Sequence, residues 1–127
     1  CSDKTVSLVS VACNYNELLR GLPLTLPYQD ENIFSSYHLY PILIDLDKVN
    51  KTLEEIFDSM INFGIGINKH YIPIYKQPFF AKFGFKKNYC RNANNYYKSS
   101  ISIPIHPLLT EKQQQKVVES LKSALEA

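Results

Sequence analysis

The sequence SSYHLYPILI, residues 35–44, is the clearest strand pattern in a chain of 127 residues. Side chains alternate between the two faces of a strand. The first face carries Tyr37, Leu39, Pro41 and Leu43, and the second carries Ser36, His38, Tyr40, Ile42 and Ile44. Because Pro41 has no N–H to donate, we expect its nitrogen to face a side without a strand partner. The pattern predicts a strand that begins at residue 35.

An amphipathic helix is predicted after this strand, over residues 51–63. Gly64 follows it, where a left-handed residue often ends a helix. Asp45, Asp47 or Asn50 could cap its start. The apolar stripe expected to face the core comprises Leu53, Ile56, Phe57, Met60, Ile61 and Phe63.

Both ends of the chain carry helical patterns. Residues 6–19 are ambiguous, because VSLVSV alternates like a strand whereas CNYNELLRG is typical of a helix that stops at Gly21. Thr110 and Gln113 fit a capping box for a C-terminal helix. Its predicted buried stripe comprises Val117, Val118, Leu121 and Leu125.

The remaining elements are short. Residues 65–68 and 99–105 read as strands, and residues 92–98 as a helix between them. Short strands that alternate with longer helices suit an α+β fold. We therefore predict a small three-stranded antiparallel or mixed sheet with helices on one face.

Composition excludes several classes of protein. With a net charge of +2 and lysines read as scattered along the chain, we expect no nucleic-acid partner. Because no apolar run reaches the roughly 20 residues of a membrane span, we expect no membrane partner. The cysteines and histidines lack metal-ligand spacing, and neither a serine nucleophile motif nor a glycine-rich phosphate loop occurs.

The segment GIGINKHYIPIY, residues 64–75, is the main candidate for ligand binding. Its Lys69, His70, Tyr71 and Tyr75 could hydrogen-bond a sugar or a diphosphate. In an extended segment, His70 and Tyr71 would point to opposite faces. An alternative is a core strand in which His70 binds a backbone carbonyl. His38, between tyrosines on the first strand, has the same two interpretations.

Three sequence blocks resemble a known family. SSYHLYPILI, GIGINKHYIPIYKQPFF and YYKSSISIPIHPLLTEKQQQKVVESL are similar, in this order, to the C-terminal part of the DegT/DnrJ/StrS aminotransferases. These are pyridoxal-phosphate-dependent enzymes that act on nucleotide sugars. The form HYIPIYKQPFF is most similar to the branch that aminates a UDP-4-keto-6-deoxy-N-acetylhexosamine towards pseudaminic acid.

The resemblance divides the chain in two. Residues 14–127 correspond to the small C-terminal domain of the type I pyridoxal-phosphate-dependent transferase fold. Residues 1–13 depart from the family pattern, which indicates a truncation or a junction.

The resemblance also implies a function. The parent enzyme would bind pyridoxal phosphate and transfer an amino group, from glutamate as donor, to a UDP-4-keto-6-deoxy sugar. The family's catalytic lysine and cofactor-binding residues belong to the large domain, so we expect no catalytic, cofactor-binding or metal-binding residue here. We expect this chain alone to be inactive and to bind no pyridoxal phosphate.

By the same resemblance, several side chains would border the nucleotide-sugar substrate, in a cytoplasmic protein that forms a homodimer or self-associates. They are His70, Tyr71, Tyr75, Lys69 and His38. One alternative is a stand-alone, non-enzymatic module that binds nucleotide sugars. Another is a surface protein acylated at Cys1.

Overall fold

The structure is a computed structural model that describes residues 7–126. The predictions for Cys1, and for the start of the 1–13 segment, therefore lie outside the described residues. The helices are α1 (Leu8–Leu18), α2 (Leu53–Asn62), α3 (Pro78–Ala81), α4 (Arg91–Ser99) and α5 (Glu111–Glu126), and the strands are β1 (Leu24–Thr25), β2 (Tyr40–Ile44) and β3 (Ser100–Ile103).

The strands form one antiparallel sheet in the order β1–β2–β3. Pro41 lies opposite Ser102. The backbone groups of Ser102 bond Asn68, on the other side of β3, rather than Pro41: the N–H of Ser102 donates to the carbonyl of Asn68 at 2.7 Å, and its C=O accepts from the N–H of Asn68 at 3.1 Å. The nitrogen of Pro41 therefore faces the β1 side, and β1 reaches only Leu43 and Ile44. The predicted three-stranded sheet and the missing partner at Pro41 are both confirmed.

Strand β2 starts later than predicted, at Tyr40 rather than at residue 35. Tyr37 has a positive φ of 48°, which turns the chain before the strand begins. This turn lets the Tyr37 ring stack on that of Tyr40, with centroids 6.3 Å apart. Alternation holds only inside the strand, where Tyr40, Ile42 and Ile44 are buried.

Helices α1, α2 and α5 cover the buried face of the sheet, and α5 packs against both of the others. The Tyr15 ring of α1 lies 5.2 Å from that of Tyr40, and its hydroxyl donates to the carbonyl of Pro104 at 2.9 Å. Burial raises the pKa of Tyr15 and, with the neighbouring tyrosines as a smaller cause, that of Tyr40. Helix α1 therefore packs on the sheet through an aromatic contact, and the buried Tyr15 hydroxyl has a hydrogen-bond partner distant in the sequence.

The ends of α2 and α1 show which parts of the helix predictions are confirmed. Thr52, not an earlier Asp or Asn, caps α2 in a capping box with Glu55, and Gly64 follows with φ of 76° as predicted. Ile61 and Phe63 are exposed rather than in the core. Helix α1 is continuous from Leu8, because Ser7 and Ser10 form a second capping box.

The C-terminal helix follows its prediction. Thr110 and Gln113 form the expected capping box, since each backbone N–H bonds the other side chain. Its predicted stripe is buried. The sequence pattern missed Gln114, which is buried between α5 and α1.

Candidate functional site

The candidate site begins where the chain leaves the edge of the sheet. Ile65 and Ile67 are buried, and Asn68 makes a single bridge to Ser102 instead of the predicted strand. His70 is two residues further along, so it returns to the face of the sheet on which Ser102 lies. The loop is thus anchored on β3 immediately before its polar side chains.

His70 is held by a side chain of the sheet. Its Nδ1 lies 2.9 Å from the hydroxyl oxygen of Ser102, not against the backbone carbonyl of the alternative interpretation. The ring centroids of His70 and Tyr71 are 4.6 Å apart. The two side chains therefore lie together, and the prediction of opposite faces is wrong.

Tyr71 and Tyr75 have different surroundings. Tyr71 is 69% exposed. Tyr75 is buried, its ring packs on Phe85 and Tyr89, and its hydroxyl donates to the carbonyl of Lys87 at 3.4 Å. Tyr71 is therefore available to a ligand, whereas Tyr75 ties the loop to the segment that follows it.

Lys69 and His38 complete the predicted set. The ammonium of half-buried Lys69 lies 4.5 Å from the centroid of the Tyr97 ring in α4, a cation–π arrangement. His38 is exposed before β2. Within residues 7–126, no hydrogen bond or ring contact joins His38 to the loop. Of the predicted set within residues 7–126, the structure therefore shows a direct contact only between the rings of His70 and Tyr71.

The charges of this region are one-sided. Between Asp58 and Glu111 the chain has seven cationic side chains and no acidic one, although its net charge is only +2. The cations are Lys69, Lys76, Lys82, Lys86, Lys87, Arg91 and Lys98. Both ion pairs recorded within residues 7–126 lie elsewhere, at Arg20 and Lys48. The loop thus lies in a segment, residues 59–110, that is cationic because it carries no acidic residue, although its lysines are scattered along it.

The described part of the chain does not fit pyridoxal phosphate. A type I site needs a lysine in an enclosed pocket and an acidic partner for the pyridine nitrogen. No lysine in residues 7–126 is buried, and the cationic segment has no carboxylate to offer. No cluster of metal-ligating side chains occurs in these residues, and none of their helices is long and apolar enough to span a membrane.

Ser102 is the site residue that sequence reasoning missed. Its signal lay in the alternation of SSISIPI, which places Ser100 and Ser102 opposite the isoleucines of the core. Both serines are buried, but among residues 7–126 only the hydroxyl of Ser102 has a hydrogen-bond partner. That partner lies 32 residues away in the sequence.

The three-stranded sheet and its layer of helices have the fold of one part of solved aminotransferases. The chain belongs to the DegT/DnrJ/EryC1/StrS aminotransferase family, whose model matches residues 8–122. The match begins inside the segment 1–13 that the resemblance had left out. The chain spans about 30% of the length of curated relatives that it matches.

Individual relatives agree with this assignment. A UDP-4-amino-4,6-dideoxy-N-acetyl-beta-L-altrosamine transaminase of Campylobacter jejuni is 39% identical over 92 residues, which are 72% of this chain and 24% of that protein. Helicobacter pylori PseC, an aminotransferase involved in the biosynthesis of pseudoaminic acid, superposes with a TM-score of 0.79 at 25% identity, over 93% of this chain and 32% of that one. DesV of S. venezuelae has the same fold, with a TM-score of 0.83 at 22% identity over 94% and 31% of the two chains.

Proposed function

We propose that this chain is the small C-terminal domain of a nucleotide-sugar aminotransferase and that its edge loop borders the substrate pocket. The observation that carries the proposal is the contact between half-buried His70 and exposed Tyr71 inside an acid-free, cationic segment of a chain of this family. The substrate would be a UDP-4-keto-6-deoxy-N-acetylhexosamine and the amino donor glutamate. The similarity to the Campylobacter transaminase and to PseC supports this branch.

The chemistry of the loop suits such a substrate. A nucleotide sugar carries a diphosphate, which unpaired ammonium groups attract, and sugar hydroxyls, which an imidazole and a phenol can bind. The ammonium of Lys69, the residue before the pair, lies over the Tyr97 ring. Because no carboxylate lies between Asp58 and Glu111, an anionic ligand meets no acidic residue of that segment. These residues would bind and orient the substrate.

Catalysis requires a part of the enzyme that residues 7–126 do not contain. Pyridoxal phosphate, when bound by the parent enzyme, supplies the electron sink for amino transfer. This domain would bind and orient substrate, and His38, Tyr75 and Lys69 would support the rim of the pocket. We propose a cytoplasmic location for the parent enzyme, in keeping with a soluble nucleotide-sugar substrate.

Calorimetry with UDP-N-acetylglucosamine tests the proposal on this chain. We expect binding that weakens in His70→Ala and in Tyr71→Phe, and that falls with added salt because cations contribute. Tyr28→Phe is the matched control, since Tyr28 is exposed outside the cationic segment. Equal affinity of all four proteins for the nucleotide sugar would show that the loop is only structural.

Self-association is a second part of the proposal. Phe79 and Phe83 are 62% and 63% exposed and lie in one aromatic cluster, and monomers rarely leave such surface uncovered. We expect sedimentation velocity to show dimers at high concentration and Phe83→Ser to reduce them. Phe34→Ser, which removes an exposed phenylalanine outside the cluster, should leave the dimer unchanged. A monomer at every concentration would contradict this part alone.

A further inference from the structure

The surroundings of Ser102 are unusual for a serine in a strand. Its side chain is only 5% exposed, and both of its backbone groups bond Asn68. Its hydroxyl lies 2.9 Å from Nδ1 of His70, which leaves Nε2 as the ring nitrogen available to a ligand. Ser102 thus contacts the loop segment through its backbone, at Asn68, and through its hydroxyl, at His70.

We propose that Ser102 is a positioning residue: its hydroxyl donates to Nδ1 of His70 and holds the proton of the neutral ring on Nε2. This inference rests on the proposed function, because it gives the imidazole a task at the substrate. A ring with Nε2–H is a hydrogen-bond donor, which a phosphate or a sugar oxygen can accept. The other tautomer would present a lone pair to the same anionic ligand and repel it.

The backbone explains why this serine, and not its neighbour, can act. The pairing of Asn68 with Ser102 puts the two side chains on one face, and His70, two residues on, follows on that face. Ser100 occupies the equivalent face two residues earlier in β3, and its buried hydroxyl has no partner in residues 7–126. Ser100 therefore provides a control that matches Ser102 in residue type, strand, face and burial.

Long-range ¹H–¹⁵N correlation spectra of the labelled chain at pH 9, where an imidazole is neutral, test the tautomer directly. The chain has three histidines, and His70→Gln identifies the signals of the loop. We expect distinct Nδ1 and Nε2 shifts for His70, with the proton on Nε2, and partly averaged shifts for exposed His38.

Variants separate positioning from general stability. In Ser102→Ala the two nitrogen shifts of His70 should move towards the averaged values of His38, whereas Ser102→Thr, which keeps the hydroxyl, and Ser100→Ala should preserve the native pattern. A proton on Nδ1 in the parent chain, or unchanged shifts in Ser102→Ala, would overturn the inference. Unfolding midpoints of the variants check that the domain still folds.

Binding of UDP gives the functional arm. We expect Ser102→Ala to weaken it by roughly threefold to tenfold, the effect of one hydrogen bond, and Ser102→Thr and Ser100→Ala to leave it unchanged. If His70→Ala weakens UDP binding and Ser102→Ala does not, the positioning role is wrong. If the chain binds no UDP but the His70 tautomer changes in Ser102→Ala as expected, the positioning role of Ser102 is supported and the proposed function is wrong.

Discussion

Replacing Gln114 by alanine removes the main polar contact between α1 and α5. The side chain is 2% exposed, its Nε2 donates to the carbonyl of Val11, and its Oε1 accepts from Nδ2 of Asn14, both at 2.9 Å. Two hydrogen bonds contribute about 1–3 kcal/mol together, and the lost methylene adds about 0.8 kcal/mol. We therefore expect Gln114→Ala to lower the free energy of unfolding by about 2–4 kcal/mol.

The neighbouring glutamine supplies the control. Gln115 is exposed on the same helix, so Gln115→Ala should change stability by less than about 0.5 kcal/mol. Urea denaturation followed by circular dichroism at 222 nm measures both variants, and the slope with urea should stay constant. An effect of Gln114→Ala within 0.5 kcal/mol of the control, on the order of the additivity error, would refute the calculation.

A double-mutant cycle with Asn14→Ala measures how much of the stabilisation by Gln114 comes from its hydrogen bond to Asn14. Asn14 Nδ2 loses its partner when Gln114 is removed, so the second substitution then costs less than it does alone. We expect a coupling of about 1 kcal/mol between the two positions. Additive effects would mean that the stabilisation comes from the packing of Gln114 and not from its hydrogen bond to Asn14.

Two further predictions concern stability. Burial raises the pKa values of Tyr15 and Tyr40, so these two phenols ionise at about pH 10 in the unfolded chain but remain protonated there in the folded chain. The free energy of unfolding should therefore fall above pH 10, by about 1.4 kcal/mol per tyrosine at pH 11. Urea midpoints at pH 9 and 11 measure this loss, and an unchanged midpoint would contradict it. Gly64→Ala should cost about 1 kcal/mol, because φ is 76° although a Cβ would meet nothing within 4 Å. Gly66→Ala, with equal space and no positive φ, should cost less, and equal midpoints of the two variants would show that backbone conformation is not the cause.

Local patterns predicted the parts of the fold that local interactions determine. The capping box of Thr110 and Gln113 spans four residues, and the alternation of Tyr40, Ile42 and Ile44 follows from the geometry of a single strand. The predicted start of β2 was wrong because Tyr37 adopts a positive φ, which is uncommon for residues other than glycine. The sequence SSYHLYPILI contains no glycine or other turn signal at this position, and in the structure the Tyr37 ring stacks on that of Tyr40.

The candidate site shows the same division. Lys69, His70 and Tyr71 were found because they are adjacent, but the partner of His70 is 32 residues away, and periodicity carries no information on such pairs. The interpretation of His70 as a residue bound to a backbone carbonyl failed for this reason. Sheet register, which brings Asn68 beside Ser102, had to be known before that serine could be recognised.

The surfaces of this domain divide its tasks. The face of the sheet that carries Ile42 and Ile101 packs against α1, α2 and α5 and so contributes to stability. The loop edge combines an exposed phenol, an anchored imidazole and cations without acidic neighbours in sequence. These residues bind an anionic ligand most tightly when the rest of a pocket excludes water, because electrostatic attraction weakens in solvent. We therefore expect the loop to bind nucleotide more weakly in this chain than in an enzyme of full family length, and by the same residues in both.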